Sequence, residues 1–143
     1  MTNTYHAAIK ITKAIKEYDH SILTVIGGPH PSIFIEQTLE NPSVDFVIFG
    51  EGEYTITELC DTLESGGNFS HIKGLAFKES NRIIVNGLRP LISNLDELPF
   101  PARQLLNLSE YPLRSLTGKR MATMISSRGC PYNCAYCYKG LLW

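Results

Sequence analysis

The sequence predicts an α/β fold in which helices cross over between the short strands of a parallel sheet. Two mostly apolar runs, residues 21–26 and 44–49, are each followed by glycine, as expected for strands buried on both faces. Patterns with helical periodicity precede, separate and follow these runs, at residues 5–18, 32–40 and 53–65. Such alternation is typical of βα repeats around a parallel sheet.

Cap and turn residues set the predicted limits of the second and third helices. Ser32 is placed to cap the second helix, and the Asn-Pro pair at residues 41–42 would end it. The acidic residues within 50–53 follow the second strand and favour the N-terminus of the third helix. The two glycines at residues 66–67 are typical of a helix end.

Cys60, His30 and His71 have side chains that can bind metals, but none of them lies within a motif. Cys60 falls on the apolar face of the third predicted helix with Leu59 and Leu63, so we expect it to be a small core residue. The two histidines have no partner at ligand spacing. We therefore expect both at the surface or in turns.

After residue 72 the pattern changes from βα repeats to a hairpin and a linker. Residues 74–78 and 82–85 flank a short polar loop and predict a β-hairpin. Residues 86–118 contain four prolines and predict a linker with one short helix at residues 102–106. A further strand is predicted at residues 121–125.

Composition narrows the class of protein. The chain has 143 residues and a net charge of -1, which argues against a nucleic-acid-binding protein. No apolar run approaches the ~20 residues of a membrane span, and the first residues do not resemble a signal peptide, so we expect a cytoplasmic protein. The chain opens on a helix with no strand before it, and we expect it to be the middle piece of a longer protein.

The chemistry is concentrated in Cys130, Cys134 and Cys137, which have the spacing C-x3-C-x2-C. Thiolates bind zinc and iron–sulfur clusters. Structural zinc takes four ligands, and a [4Fe–4S] cluster normally takes four cysteines. With three thiolates, one iron of a cluster is open to an exogenous molecule, which is a catalytic arrangement. Neither Cys60 nor His71 offers a fourth ligand at local spacing.

Residues 127–137 resemble the S-R-G-C-P-x-x-C form of the signature of radical S-adenosylmethionine (SAM) enzymes. The resemblance implies that Cys130, Cys134 and Cys137 bind a [4Fe–4S] cluster and that SAM chelates the fourth iron. It further implies that one electron from the cluster cleaves SAM to a 5′-deoxyadenosyl radical, which abstracts hydrogen from the substrate.

Upstream segments, residues 25–31, 44–53, 72–76 and 95–101, resemble the subfamily of radical SAM proteins that carries a cobalamin-binding domain. This subfamily includes the anaerobic magnesium-protoporphyrin monomethyl ester cyclase, methyltransferases and Fe-S oxidoreductases. The resemblance implies a partial Rossmann-like cobalamin-binding domain followed by a hairpin, a linker and the start of a partial TIM barrel. We expect the boundaries 1–71, 72–118 and 119–143 for these parts.

Gly27 and Gly28 match the subfamily's glycine pair, which lets the backbone approach the cobalamin tail. The alternative from the residues themselves is a plain turn at a strand end. Two subfamily elements are absent from the sequence: the cobalamin-ligating D-x-H-x-x-G loop and the SAM-binding G-G-E element. We therefore expect the chain alone to be inactive.

The function expected is that of a radical SAM oxidoreductase or methyltransferase with a [4Fe–4S] cluster, SAM and possible cobalamin. The expected partners are a small-molecule substrate and an electron donor such as flavodoxin or ferredoxin, with no nucleic acid and no membrane span. An incomplete sheet exposes strand edges, so we also expect homo-oligomers of this chain. The alternative is a non-enzymatic α/β binding module with a three-thiolate zinc site.

Overall fold

The computed structural model describes residues 2–107, 110, 121, 124–125, 127–132 and 134–137. The described residues form two compact units. The first comprises those up to Leu91 together with those after Asn133, and the second those from Ile92 to Tyr132. The fold of the first unit positions the predicted glycine pair.

The first unit contains one four-stranded sheet. Strands β1 (Val25–Gly27) and β2 (Phe46–Ile48) are parallel, and β3 (Leu75–Glu79) and β4 (Arg82–Val85) continue the sheet antiparallel in the order β1-β2-β3-β4. The α/β class and the parallel pair are therefore confirmed. The predicted hairpin is also confirmed, and its strand β3 pairs with β2, which makes the sheet mixed and carries it past residue 71.

Among the described residues, four α-helices accompany the sheet: α1 (Thr2–Tyr18), α2 (Pro29–Ile33), α3 (Ile35–Glu40) and α4 (Glu53–Ser65). The prediction of one helix capped by Ser32 and running to residue 40 is wrong. Helix α2 begins three residues before Ser32, and Phe34 separates it from α3 because its backbone angles, φ −117° and ψ 55°, are not helical. Ser32 thus lies inside α2, where it is buried.

Strand β2 divides the core between the two faces of the sheet, because successive side chains of a strand point to opposite faces. Val47 packs with residues of α1 and α3, whereas Phe46 and Ile48 pack with residues of α4 and β3. Two hydrophobic clusters are thus formed by the described residues of the unit. The first contains Ile9, Ile26, Leu39, Val44, Val47, Phe49 and Ala76, and the second Phe46, Ile48, Leu59, Ile72, Leu75 and Phe77.

Cys60 does not belong to this core, so that prediction is also wrong. The buried residues of α4 are Thr55, Leu59 and Thr62, which repeat every three to four positions, and Cys60 is exposed. Residues next to each other on a helix are about 100° apart, so a face centred on Leu59 turns its neighbour towards solvent.

Short 3-10 helices account for the remaining regular structure among the described residues. One, Phe69–His71, precedes β3, and His71 is exposed as expected. In the second unit, Leu95–Glu97 and Arg103–Leu105 form two more, the latter at the predicted helix of residues 102–106.

The strand predicted at residues 121–125, in the barrel domain predicted from residue 119, is not observed among the described residues. Residues 119, 120, 122 and 123 lie outside the described part of the chain, and the described Met121, Met124 and Ile125 belong to no strand. None of the described helices has the length and apolar character needed to cross a membrane.

Candidate functional site

The candidate site lies at the carboxyl ends of β1 and β2. Gly27 is the last residue of β1, and Gly28 begins the loop that leads directly into α2. The loop after β2 contains Gly50 and leads into α4, whose first turn carries Glu53, as predicted. Because β1 and β2 are parallel, both loops emerge at the same edge of the sheet, which is where α/β proteins bind ligands.

Ser32 joins the two loops. Its hydroxyl donates to the carbonyl oxygen of Gly28 at 2.8 Å and accepts from the N–H of Gly50 at 3.2 Å. The N–H of Ser32 also donates to the same Gly28 carbonyl, at 3.1 Å. One buried side chain thus fixes the separation of the loops that follow β1 and β2.

The glycine pair is exposed, and its two members have different backbone requirements. Gly28 has a φ of 101°, a conformation that residues with a Cβ rarely adopt. Gly27 has no positive φ, and a Cβ built there would lie 3.5 Å from the Ile48 carbonyl oxygen, which is ordinary contact. Packing within the described residues therefore does not require glycine at position 27.

A cavity of about 120 Å³ lies beside the glycine pair, between the start of α1 and the β1–α2 loop. Its walls are mostly apolar, and His30 contributes the one imidazole. The lining residues are Thr4, Tyr5, Ala8, Ile26, Gly27, Pro29, His30 and Pro31.

His30 is half-buried and lies in α2, contrary to the expectation that it lies at the surface or in a turn. Its ring packs between those of Tyr5 and Phe34, with centroid distances of 4.1 and 4.9 Å. Its Nε2 atom is buried and has no hydrogen-bond partner among the described residues. Burial lowers the pKa of His30 below its usual value, and the nearby His6 lowers it further. The sequence signal was the position of His30 two residues after the glycine pair.

The structure places the three predicted cluster cysteines in exposed positions, and none forms a disulfide. Cys130 belongs to the second unit, whereas Cys134 and Cys137 belong to the first. The N–H of Cys137 donates to the Cys134 carbonyl oxygen at 3.1 Å, so these two residues share a tight turn. Within the described residues, no three histidine, cysteine, aspartate or glutamate side chains are grouped to hold a metal ion.

Residues 1–60 match the family model described as the B12-binding domain. An uncharacterized methyltransferase of Pyrococcus horikoshii is 37% identical over 141 residues, which cover 98% of this chain and 30% of the relative. The anaerobic magnesium-protoporphyrin IX monomethyl ester cyclase of Synechocystis sp. is 31% identical, over 99% of this chain and 28% of the relative. A cobalamin-dependent radical SAM methyltransferase of Streptomyces tokunonensis is 28% identical, over 93% and 20%.

The strand-end site and the family match define an α/β domain of the B12-binding type in residues 1–60. Over nearly its whole length the chain is similar to these methyltransferases and to the cyclase, and the resemblance seen in the sequence is confirmed. The chain spans 30% or less of the length of these three relatives.

Proposed function

We infer that the protein takes part in radical SAM chemistry and binds cobalamin at the carboxyl ends of β1 and β2. The observation that carries this proposal is the combination of a B12-binding domain match with the C-x3-C-x2-C motif in one chain. The reaction proposed is that of a methyltransferase, cyclase or related oxidoreductase acting on a small molecule in the cytoplasm. A flavodoxin or ferredoxin would supply the electron.

Gly27 and Gly28 fit a bulky ligand at the strand ends. Both are exposed, and nothing within the described part of the chain requires Gly27 to lack a side chain. Close approach of an outside molecule to the backbone would account for a glycine at this strand end. We therefore propose that the cobalamin tail lies against these two residues.

Cys130, Cys134 and Cys137 fit a cluster by the chemistry of their thiolates, which are the ligands that iron–sulfur clusters prefer. All three are exposed and without a disulfide, so each thiol is accessible to iron. A [4Fe–4S] cluster bound there would supply the electron that cleaves SAM. The role of the chain's own residues is to hold three irons and leave one position open.

Anaerobic reconstitution with iron and sulfide tests the cluster in the protein at its full natural length. We expect iron and sulfide uptake with an electron paramagnetic resonance signal after reduction, and loss of this signal in C130S, C134S and C137S. Cys60→Ser is the matched control, because Cys60 is equally exposed and lies outside the motif. Zinc at one per chain without iron would instead favour the zinc-binding module, and an unchanged signal in the three variants would exclude the assigned ligands.

A further inference from the structure

The buried Nε2 atom of His30 lacks an explanation within the fold. Buried polar atoms in proteins nearly always have a hydrogen-bond partner, because an unpaired one loses the water it bound when exposed. The ring makes contacts with Tyr5 and Phe34 that a phenylalanine side chain could make equally well. Packing therefore accounts for the ring but not for its nitrogen.

The same residue lines the cavity beside Gly27. The other walls of that cavity come mainly from Tyr5, Ala8, Ile26 and two prolines, so a ligand group placed there meets apolar surface almost everywhere. A site of this kind takes a largely apolar group, and a small number of polar atoms set its orientation.

We propose that His30 determines ligand specificity at this cavity, by forming a hydrogen bond through Nε2 with an uncharged polar group of the bound corrinoid. This proposal rests on the proposed function, since it takes the ligand from there. The ring of Tyr5, whose centroid lies 4.1 Å from that of His30, lines the same cavity.

The electrostatics of the site favour an uncharged partner. Burial and the nearby His6 both lower the pKa of His30, so its imidazole is neutral at pH 7. A neutral imidazole offers one N–H donor and one acceptor nitrogen. Amide, hydroxyl or heterocyclic nitrogen groups meet this requirement, whereas an anion would be bound better by a protonated ring.

Titration with hydroxocobalamin, followed by absorbance, tests the proposal in the protein at its full natural length. We compare His30→Phe, which keeps the aromatic packing, with His30→Gln, which keeps a polar group. His71→Phe is the matched control, because His71 is exposed and does not line the cavity. We expect roughly tenfold weaker binding for His30→Phe, a smaller loss for His30→Gln and none for His71→Phe, in line with the loss of one hydrogen bond.

Thermal unfolding of the ligand-free variants separates this role from a structural one. Removal of an unpaired buried nitrogen should leave the melting temperature of His30→Phe unchanged or higher. Equal binding by the wild type and His30→Phe would overturn the proposal and leave cobalamin binding intact. A lowered melting temperature that accounts for the weaker binding would also overturn it. Absence of hydroxocobalamin binding by the wild type would instead refute the proposed function, and this inference with it.

Discussion

At the scale of single residues, Ser32 makes the contact that most directly shapes the strand-end site. Its hydroxyl is both donor and acceptor between the loops that follow β1 and β2. The sequence marked Ser32 only as a helix cap, because capping is a local pattern. A hydrogen bond to a residue 18 positions away in the chain leaves no local pattern.

Replacement of Ser32 by alanine should destabilise the protein by about 1–3 kcal/mol, because the partly buried N–H of Gly50 loses its acceptor. Urea unfolding at neutral pH measures this difference. Ser70→Ala is the control, since Ser70 is exposed and its side chain makes no hydrogen bond within the described residues. Equal stability of the two variants would show that the Ser32 hydroxyl is dispensable.

His30 should make the stability of the protein depend on pH. The pKa of His30 is lowered in the folded state by burial and then by His6, whereas the unfolded value is about 6.5. Below pH ~6.5 the unfolded chain therefore binds more protons than the folded one at this residue. The stability contributed by the neutral ring is complete above that pH and is lost as the pH falls through the folded pKa.

The free energy of unfolding, measured in urea between pH 8 and pH 5, tests this prediction. The difference between the wild type and His30→Phe isolates His30 from other titrating groups, among them His6 on the neighbouring helix α1. We expect the free energy of unfolding of the wild type to fall relative to that of His30→Phe as the pH is lowered. A difference that stays constant with pH would show that His30 has the same pKa in both states.

At the scale of elements, the sequence predicted best those boundaries that local residues determine. Helix α4 begins at Glu53 and ends at Ser65 as predicted, because acidic residues favour its start and Gly66, at φ 67°, ends it. The hairpin turn at Ser80 and Asn81 has the positive φ values of a tight two-residue connection. The break at Phe34 was not predicted, because its apolar neighbours continue the helical pattern.

Gly74 illustrates an element contact that the sequence does not reveal. It lies just before β3 with a φ of 77°, its N–H donates to the Gly87 carbonyl oxygen, and its own carbonyl accepts from Phe49. A Cβ at this position would lie 3.0 Å from the Thr55 hydroxyl and 3.1 Å from the Phe49 carbonyl oxygen. The end of β2 and the segment after β4 therefore meet at a residue with no space for a side chain.

Gly74→Ala should destabilise the protein by more than about 1 kcal/mol, because alanine is strained at positive φ and its methyl group would press on backbone. Gly87→Ala is a stringent control. A Cβ at Gly87 meets nothing within 4 Å and that residue has no positive φ, so stability should be unchanged or slightly higher. Thermal unfolding of both variants decides between strain at position 74 and a general effect of replacing glycine.

At the scale of the whole molecule, the number and order of strands in the sheet depend on pairing between distant segments, which the hydrophobic periodicity of the sequence does not reveal. The two parallel strands were evident from their apolar runs, but the junction of β2 with β3 required Phe46 to lie beside Phe77, 31 positions along the chain. The cysteine motif differs from these strand pairings, because it is recognised from residues that are close together in the sequence. Cys130, Cys134 and Cys137 lie within eight consecutive residues, so their spacing predicts a function without any long-range pairing.

The sheet leaves β1 at one edge, and we expect this edge to cause self-association of the chain. Unpaired strand edges are templates for pairing with a second copy, and β1 carries no charged residue to prevent it. Beside β1 lies a groove of about 370 Å³ lined mostly by apolar residues of α1, of β1 and of the segment just before β1, including Ile11, Ile15 and Leu23. Pairing of two copies at β1 would cover both the strand edge and this apolar surface.

Sedimentation velocity over a range of concentrations tests this expectation. The wild-type chain should sediment as a dimer or larger species at high concentration, and Val25→Lys should shift it towards the monomer by placing a charge on the edge strand. Thr57→Lys makes the same change of charge at an exposed position of α4 and should sediment like the wild type. A wild-type chain that stays monomeric at every concentration would show that the free edge of β1 does not pair. An equal shift in both variants would point to net charge rather than to the strand.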